Sequence, residues 1–352
     1  MRASAYALDC RDWRDTRLTC FTEGPAMKNR LVTVFGGSGF VGRNIVRRLA
    51  DAGARVRVAV RDTEKAYFLK TCGDLGQVSL IPTSITSDDE VARAVEGADT
   101  VVNCVGVLYE RGTRTFDAIH VQGAARITKA AALAGAKNLI HLSALGADLN
   151  ASSAYARSKA AGEVAVLEAF PEAVLLRPSV IFGTEDGFFN MFADLARIFG
   201  VLPYYSKIVP HADGGGGTKF QPVYVGDVAD AAITVLQEDG HGGKTYELVG
   251  PTVYDMREIL EMVSQYTDRS AWICGLPFWV ARIQALFLQY LPTPLLTPDQ
   301  VKLLEVDNVA DGSQPGLSDL GISAVTAETI VPTYLRRFRP YQQRKKLRLR
   351  TQ

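Results

Sequence analysis

Short apolar segments alternate with helical ones along the first half of the chain. Mostly apolar runs, typical of buried strands, fall at 31–35, 56–60, 78–81, 99–106 and 138–143. Between and after them, apolar residues recur at helical spacing at 41–50, 88–96, 116–134 and 153–169. This alternation predicts an α/β fold, a Rossmann-type doubly wound parallel sheet with helices on both faces.

A second apolar pattern lies in the last third of the chain. Residues 270–298 contain a single charge, Arg282. One stripe of the helix predicted there is apolar, and its members are Trp279, Val280, Ile283, Leu286, Phe287, Tyr290 and Leu291. We expect this helix to be buried in the core. The alternative is an exposed apolar surface that contacts a membrane or a large partner.

Composition is that of a globular protein with an ordinary charge balance. Of the 352 residues, 47% are apolar and 22% charged, and the net charge of +1 argues against a nucleic-acid-binding protein. The five scattered cysteines form no CxxC pair, so we expect neither a metal site nor a disulfide framework.

The two ends of the chain differ from the rest. Residues 1–26 carry four basic and four acidic residues and lack the apolar core of a secretory signal, so we expect a disordered extension rather than a targeting segment. Residues 336–352 carry eight basic and no acidic residues. This basic tail is either a solvated end or a segment attracted to an anionic membrane surface or to an acidic partner surface.

A glycine motif joins the first predicted strand to the first predicted helix. Gly36 allows a tight turn, Gly39 lets a pyrophosphate approach the backbone, and Gly42 lets the helix pack closely. The free N–H groups at the start of the helix would then face the phosphates. The residues expected to contact the dinucleotide here are Gly36, Gly37, Ser38, Gly39, Phe40, Val41 and Gly42.

The ends of the second and fourth predicted strands indicate the rest of the cofactor site. Arg61 follows the second strand, where a cation pairs with the 2′-phosphate of NADP, and Arg43 is placed to assist. Asp62 is an alternative partner for a ribose hydroxyl. We therefore expect NADP(H) rather than NAD(H). Val105 and Gly106, at the carboxyl end of the fourth strand, are expected beside the cofactor.

Together these motifs resemble the extended and atypical branches of the short-chain dehydrogenase/reductase superfamily. The segments that carry the resemblance lie at 36–42, 103–106, 143, 155–159, 176–183 and 221–229. The resemblance implies a dinucleotide-binding domain over 27–183, to which 219–248 returns. It also implies a smaller C-terminal α/β cap over 184–218 and 249–335.

The same resemblance implies candidate catalytic residues. Ser143 would hydrogen-bond a substrate carbonyl, and Pro178 would border the nicotinamide. Tyr155 and Lys159, four residues apart on one helix face, would contact the cofactor, with the ammonium lowering the pKa of the phenol for proton transfer. The superfamily often places an asparagine on the helix after the fourth strand. This chain has no asparagine near that point, where either His120 or Gln122 stands.

A narrower resemblance covers nearly all of 28–340. Segments such as 143–147, 155–163 and 317–322 are similar to the Rossmann-fold accessory subunit family of respiratory complex I. That resemblance implies tightly held NADPH without established turnover, complex I subunits as partners and a ubiquinone-reducing, electron-transport setting. The protein would then lie peripherally on the cytoplasmic side of a bacterial inner membrane, or on the matrix side of the mitochondrial inner membrane. The alternatives are an NADPH-dependent reductase, epimerase or dehydratase of quinone or isoprenoid metabolism and a redox-sensing regulator.

Overall fold

A computed structural model describes residues 27–206 and 216–340. The predicted extension at 1–26 and most of the basic tail, 341–352, lie outside the described residues.

The main sheet has seven strands, which are β1 (Leu31–Phe35), β2 (Arg55–Val60), β3 (Val78–Pro82), β4 (Thr100–Asn103), β5 (Asn138–Leu142), β6 (Val174–Pro178) and β11 (Thr245–Leu248). Their order across the sheet is β11-β6-β5-β4-β1-β2-β3. The pairs from β3 across β1 to β6 are all parallel. The predicted Rossmann-type parallel sheet is therefore confirmed.

The register brings three strand ends to the same level. Phe35, the last residue of β1, pairs with Ala59 of β2 on one side and with Asn103 of β4 on the other. The strand order reverses between β1 and β4, which in open α/β sheets is where ligands bind. The segments that follow Phe35, Ala59 and Asn103 are therefore neighbours at this edge.

Helices follow the strands as the sequence pattern predicted. They are α1 (Phe40–Asp51), α2 (Asp88–Val95), α3 (Gly123–Leu133), α4 (Ala154–Ala169), α5 (Phe189–Phe199), α6 (Val225–Gln237), α7 (Met256–Thr267), α8 (Phe278–Leu288), α9 (Pro298–Leu304) and α10 (Ala327–Leu335). The single helix predicted over 116–134 is interrupted, because its first part is a π-helix, Asp117–Gln122. Such widened turns are frequently found at functional sites.

The chain divides into two compact units. The first holds the described residues up to Ser143 together with Ala161–Leu176 and Ala229–Thr245. Its core lies between sheet and helices and is built from residues such as Phe35, Ile127 and Leu139. The second unit holds Ala144–Ala160, Arg177–Val228 and the described residues from Tyr246 onward.

The second unit has its own core and three two-stranded sheets. The sheets pair β7 (Ile181–Phe182) with β10 (Val223–Tyr224), β8 (Val201–Ser206) with β13 (Trp272–Pro277), and β9 (Lys219–Phe220) with β12 (Tyr254–Asp255). The core is rich in aromatic side chains, and its largest fully buried members are Phe182 and Phe189. The start of the basic tail belongs to this unit, where Arg337 donates to the Asn190 side chain at 2.8 Å.

Helix α8 exposes most of its large apolar side chains. Trp279 is 62% exposed, Phe287 73% and Tyr290, just beyond the helix, 83%. The buried face consists of Phe278, Ala281 and Ala285, and the alanines allow α9 to pack closely. The expectation that the apolar stripe is buried is therefore wrong, because small residues occupy the inner face. No helix in the described ranges is long and apolar enough to cross a membrane.

Candidate dinucleotide-binding site

The turn between β1 and α1 is built from glycines that bring its backbone close to the start of the helix. Gly36 has φ +72°, a conformation that favours glycine. A Cβ on Gly42 would lie 2.4 Å from the Gly36 carbonyl oxygen, so only glycine allows this approach. No side chain caps α1, and its first turn has no acidic residue. Its first N–H groups therefore remain available to an anion.

Arg43 brings a positive charge to the same turn. Its guanidinium donates to the carbonyl oxygens of Ser38 at 3.0 Å and Gly39 at 3.3 Å. The guanidinium also lies over the ring of Phe68, 4.9 Å from its centroid. The chain therefore holds this cation beside the glycine turn, which favours a ligand with phosphate groups.

The residues after β2 place a second cation at this edge. Arg61 is exposed. The Asp62 carboxylate instead pairs with Lys65, whose ammonium lies 2.8 Å away. The hydrogen bond from Lys65 lowers the pKa of Asp62. Asp62, which the sequence offers as an alternative partner for a ribose hydroxyl, is thus paired with Lys65, whereas Arg61 is exposed to solvent.

The segment after β4 packs against the glycine turn. A Cβ on Gly36 would lie 3.2 Å from the backbone carbonyl of Cys104 and 3.3 Å from the Val105 side chain. Gly106 is exposed, and Val105 and Val107 on either side of it are half-buried. Of the two residues predicted to contact the cofactor, Val105 therefore lies beside the glycine turn within the first unit, and Gly106 follows it in the same loop.

Ser143 directly follows β5 in the first unit. Its backbone N–H donates to the Leu176 carbonyl at 2.7 Å, which extends the ladder between β5 and β6. The side chain is buried, and its hydroxyl finds no hydrogen-bond partner among the described residues. A buried hydroxyl without a partner is uncommon, and it is consistent with the ligand-binding role predicted for Ser143.

Tyr155 and Lys159 lie in the first two turns of α4, in the second unit. Lys159 is buried. Burial raises the pKa of Tyr155 to about 12, whereas proton transfer at neutral pH needs a lowered value. Pro178, also in the second unit, is buried and accepts a hydrogen bond from the Leu145 N–H at 2.9 Å.

Asp299 fixes the start of the helix that carries Tyr155 and Lys159. Its carboxylate accepts hydrogen bonds from the backbone N–H groups of Ala154 at 2.7 Å and Tyr155 at 2.9 Å, and from the Ser153 hydroxyl at 2.7 Å. An anion at this end of a helix is favourable. Sequence reasoning missed this residue, since 145 positions separate Asp299 from Ala154.

Comparison with known proteins places the chain in a family. The model of the NAD dependent epimerase/dehydratase family matches residues 32–248. The chain is also 36% identical over 304 residues to NADH dehydrogenase (ubiquinone) 1 alpha subcomplex subunit 9, mitochondrial, of Arabidopsis thaliana, which covers 83% of this chain and 74% of that one. The chain belongs to the NAD dependent epimerase/dehydratase family and, within it, to the family of alpha subcomplex subunit 9. Both resemblances stated from the sequence are thus confirmed.

Solved structures of this epimerase/dehydratase fold hold either form of the cofactor. Triphenylmethane reductase of Citrobacter sp., complexed with NADP(H), superposes with a TM-score of 0.65 at 17% identity and covers 86% of this chain and 99% of that one. MoeE5 in complex with UDP-glucose and NAD superposes with a TM-score of 0.64 at 17% identity, covering 87% and 98%. At such identity these likenesses show the fold, and they leave the choice between NAD and NADP open.

Proposed function

We propose that this family member binds NADP(H) at the glycine turn of its first unit and holds it as a structural cofactor. The observation that carries the proposal is the start of α1, which has neither a side-chain cap nor an acidic residue and lies against a turn shaped by Gly36 and Gly42. Unpaired N–H groups at a helix start bind phosphate. When bound, the dinucleotide supplies a nicotinamide for hydride transfer; the residues of this turn supply binding.

The arrangement of charges supports NADP(H) over NAD(H). Arg43 is held beside the turn by Ser38 and Phe68, and Arg61 is exposed at the end of β2. The Asp62 carboxylate is paired with the Lys65 ammonium, which compensates its negative charge. The two arginines therefore leave net positive charge near the end of β2, which favours a 2′-phosphate.

Arg61→Asp is expected to weaken NADPH binding by roughly 10- to 100-fold, because a charge-assisted contact contributes about 1.5–3 kcal/mol. NADH has no 2′-phosphate, so its Kd should change less than about threefold, the size of an ordinary exposed charge effect. Isothermal titration calorimetry with both coenzymes measures the difference. Arg55→Asp is the matched control, since Arg55 is exposed at the opposite end of the same strand. Equal losses for the two coenzymes would show that Arg61 does not contact the phosphate.

The environment of Tyr155 fits a protein that binds the cofactor without catalysis better than it fits an active reductase. Burial raises the pKa of the Tyr155 phenol, which is opposite to the lowering that proton transfer near neutral pH requires. The family resemblance implies cofactor contact for Tyr155 and Lys159, a role that needs no proton transfer to a substrate.

The partner we propose is a membrane-bound respiratory complex of the complex I type. The support is the likeness to alpha subcomplex subunit 9, which extends over 83% of this chain. An accessory subunit needs a surface for its complex, and the exposed side chains of α8 provide one in the second unit. We place the protein peripherally on the cytoplasmic side of a bacterial inner membrane, the matrix side of a mitochondrial one being the equivalent location.

Two features of the second unit and its tail support contact with the lipid surface. Trp279, Phe287 and Tyr290 are exposed beside Arg282, and aromatic residues of this kind are enriched at membrane interfaces. The basic residues of 336–352 would add attraction to anionic lipid. An apolar contact and a basic segment together give the two signals that stable peripheral anchoring needs.

Native mass spectrometry of protein purified with mild detergent from its own membranes tests the whole proposal. We expect one NADPH or NADP⁺ mass per chain, together with co-purifying respiratory subunits. Protein that is folded but carries no dinucleotide and binds none when it is added would overturn the cofactor assignment. Protein that carries the dinucleotide but never recovers a respiratory subunit would overturn the partner.

A further inference from the structure

Two side chains fix the backbone of the loop that follows β4. The Val105 N–H donates to Asn103 Oδ1 at 3.1 Å, and the Val107 N–H donates to His120 Nε2 at 3.0 Å. The exposed Gly106 lies between these two amides. The backbone on both sides of Gly106 is therefore held by side chains that are themselves buried, with Asn103 and His120 each 2% exposed.

The hydrogen bond that Asn103 accepts from the Val105 N–H also determines which ring nitrogen of His141 carries the proton. Because Asn103 Oδ1 accepts from a backbone N–H, the other amide atom, Nδ2, is the one that meets His141 Nδ1 at 3.1 Å. An amide nitrogen only donates, so His141 Nδ1 must accept and its proton must lie on Nε2. The neutral imidazole of His141 thus holds Asn103 in the orientation that Val105 requires.

His120 acts in the same way from the π-helix. Its Nε2 accepts from Val107, so this atom carries no proton. The ring stacks on Phe116, with centroids 5.5 Å apart and planes 19° apart. A Cβ on Gly162 would lie 2.3 Å from the His120 carbonyl oxygen, so α4 closes against the backbone of this residue. Of the two candidates from the sequence, His120 faces the loop, while Gln122 is exposed and pairs with Asp117.

We propose that His120 and the Asn103–His141 pair are positioning residues of the dinucleotide site. They hold residues 105–107 against the glycine turn, where Cys104 and Val105 contact Gly36. When a loop is already ordered in the free protein, ligand binding carries no entropic cost for ordering it. This inference rests on the proposed dinucleotide function and adds the residues that preorganise its loop.

Amide exchange followed by NMR on 15N-labelled full-length protein tests the two contacts directly. His120→Phe keeps the stacked ring and removes the acceptor, so exchange at Val107 should accelerate by about tenfold or more while Val105 changes little. Asn103→Leu should give the reverse pattern. His120→Gln places an acceptor near the position of Nε2 and should restore protection at Val107. Unchanged exchange at both amides in both variants would overturn the positioning role.

Calorimetry with NADPH then measures what the contacts do for binding. Kd should rise about tenfold in His120→Phe and stay within about threefold of the original protein in His120→Gln. Val78→Ala, at the opposite end of the sheet, is the control for a general loss of stability: its Tm should fall and its Kd should not change. A His120→Phe protein that binds as tightly as the original would overturn the proposal. If the original protein binds no dinucleotide, the proposed function is refuted instead. The exchange experiment would still show whether Asn103 and His120 hold the backbone of residues 105–107.

Discussion

Gly42→Ala is expected to reduce dinucleotide affinity by about 100-fold or more, the largest effect of any single substitution considered. The new Cβ would lie 2.4 Å from the Gly36 carbonyl oxygen and 2.7 Å from the Gly37 Cα, both of them backbone atoms. The start of α1 must therefore move away from the turn. Each hydrogen bond to a charged phosphate that is lost costs about 1.5–3 kcal/mol, so losing two is sufficient for this effect. Calorimetry with NADPH measures it.

Gly187→Ala is the matched control for the Gly42 variant. No heavy atom lies within 4 Å of a Cβ built on Gly187, so the same substitution should leave Kd and Tm nearly unchanged. Circular dichroism shows whether the Gly42→Ala protein keeps its fold. A folded Gly42→Ala protein with the original affinity would mean that the dinucleotide does not bind at this turn.

Replacing Trp279, Phe287 and Tyr290 together by serine is expected to abolish membrane association. These side chains are 62%, 73% and 83% exposed, so the folded unit should lose little stability. Burying a large apolar side chain contributes about 1.5–3 kcal/mol, and three of them account for a loss of at least about 100-fold in partitioning. Co-sedimentation with vesicles containing anionic lipid measures the change.

The control replaces Leu75, Leu133 and Val164 by serine. These exposed apolar residues lie in the first unit, and their removal should leave vesicle binding unaltered. If the α8 variant still binds vesicles as well as the original protein, this face does not contact lipid. If the original protein binds no vesicles but recovers respiratory subunits through α8, the face contacts protein instead.

The glycine turn and the exposed arginine after β2 were predictable because both depend on local sequence. Gly36, Gly42 and Arg61 lie within one strand–helix–strand segment, and their roles depend on neighbours a few residues away. A missing Cβ or a cation at the end of a strand has the same consequence in any such segment. The position of the turn relative to β1 and α1 followed from the same local pattern.

The supporting contacts were not predictable, because they join distant parts of the chain. Asn103 meets His141 across 38 positions, and Asp299 reaches Ala154 across 145. The one available signal was the presence of polar residues in apolar strands: Asn103 and His141 interrupt β4 and β5. That pattern indicates a buried hydrogen bond without indicating the partner.

Periodicity also left the environment of α8 undecided. An apolar stripe predicts which residues share a helix face, but a core and a contact surface both require such a face. The packing of Ala281 and Ala285 toward α9 turned Trp279 and Phe287 outward. Chain order and composition were thus sufficient for the sheet, the glycine turn and the family. The histidine contacts, the capping of α4 and the exposed apolar face were decided only when distant segments packed together, because burial and hydrogen-bond partners are properties of the folded chain.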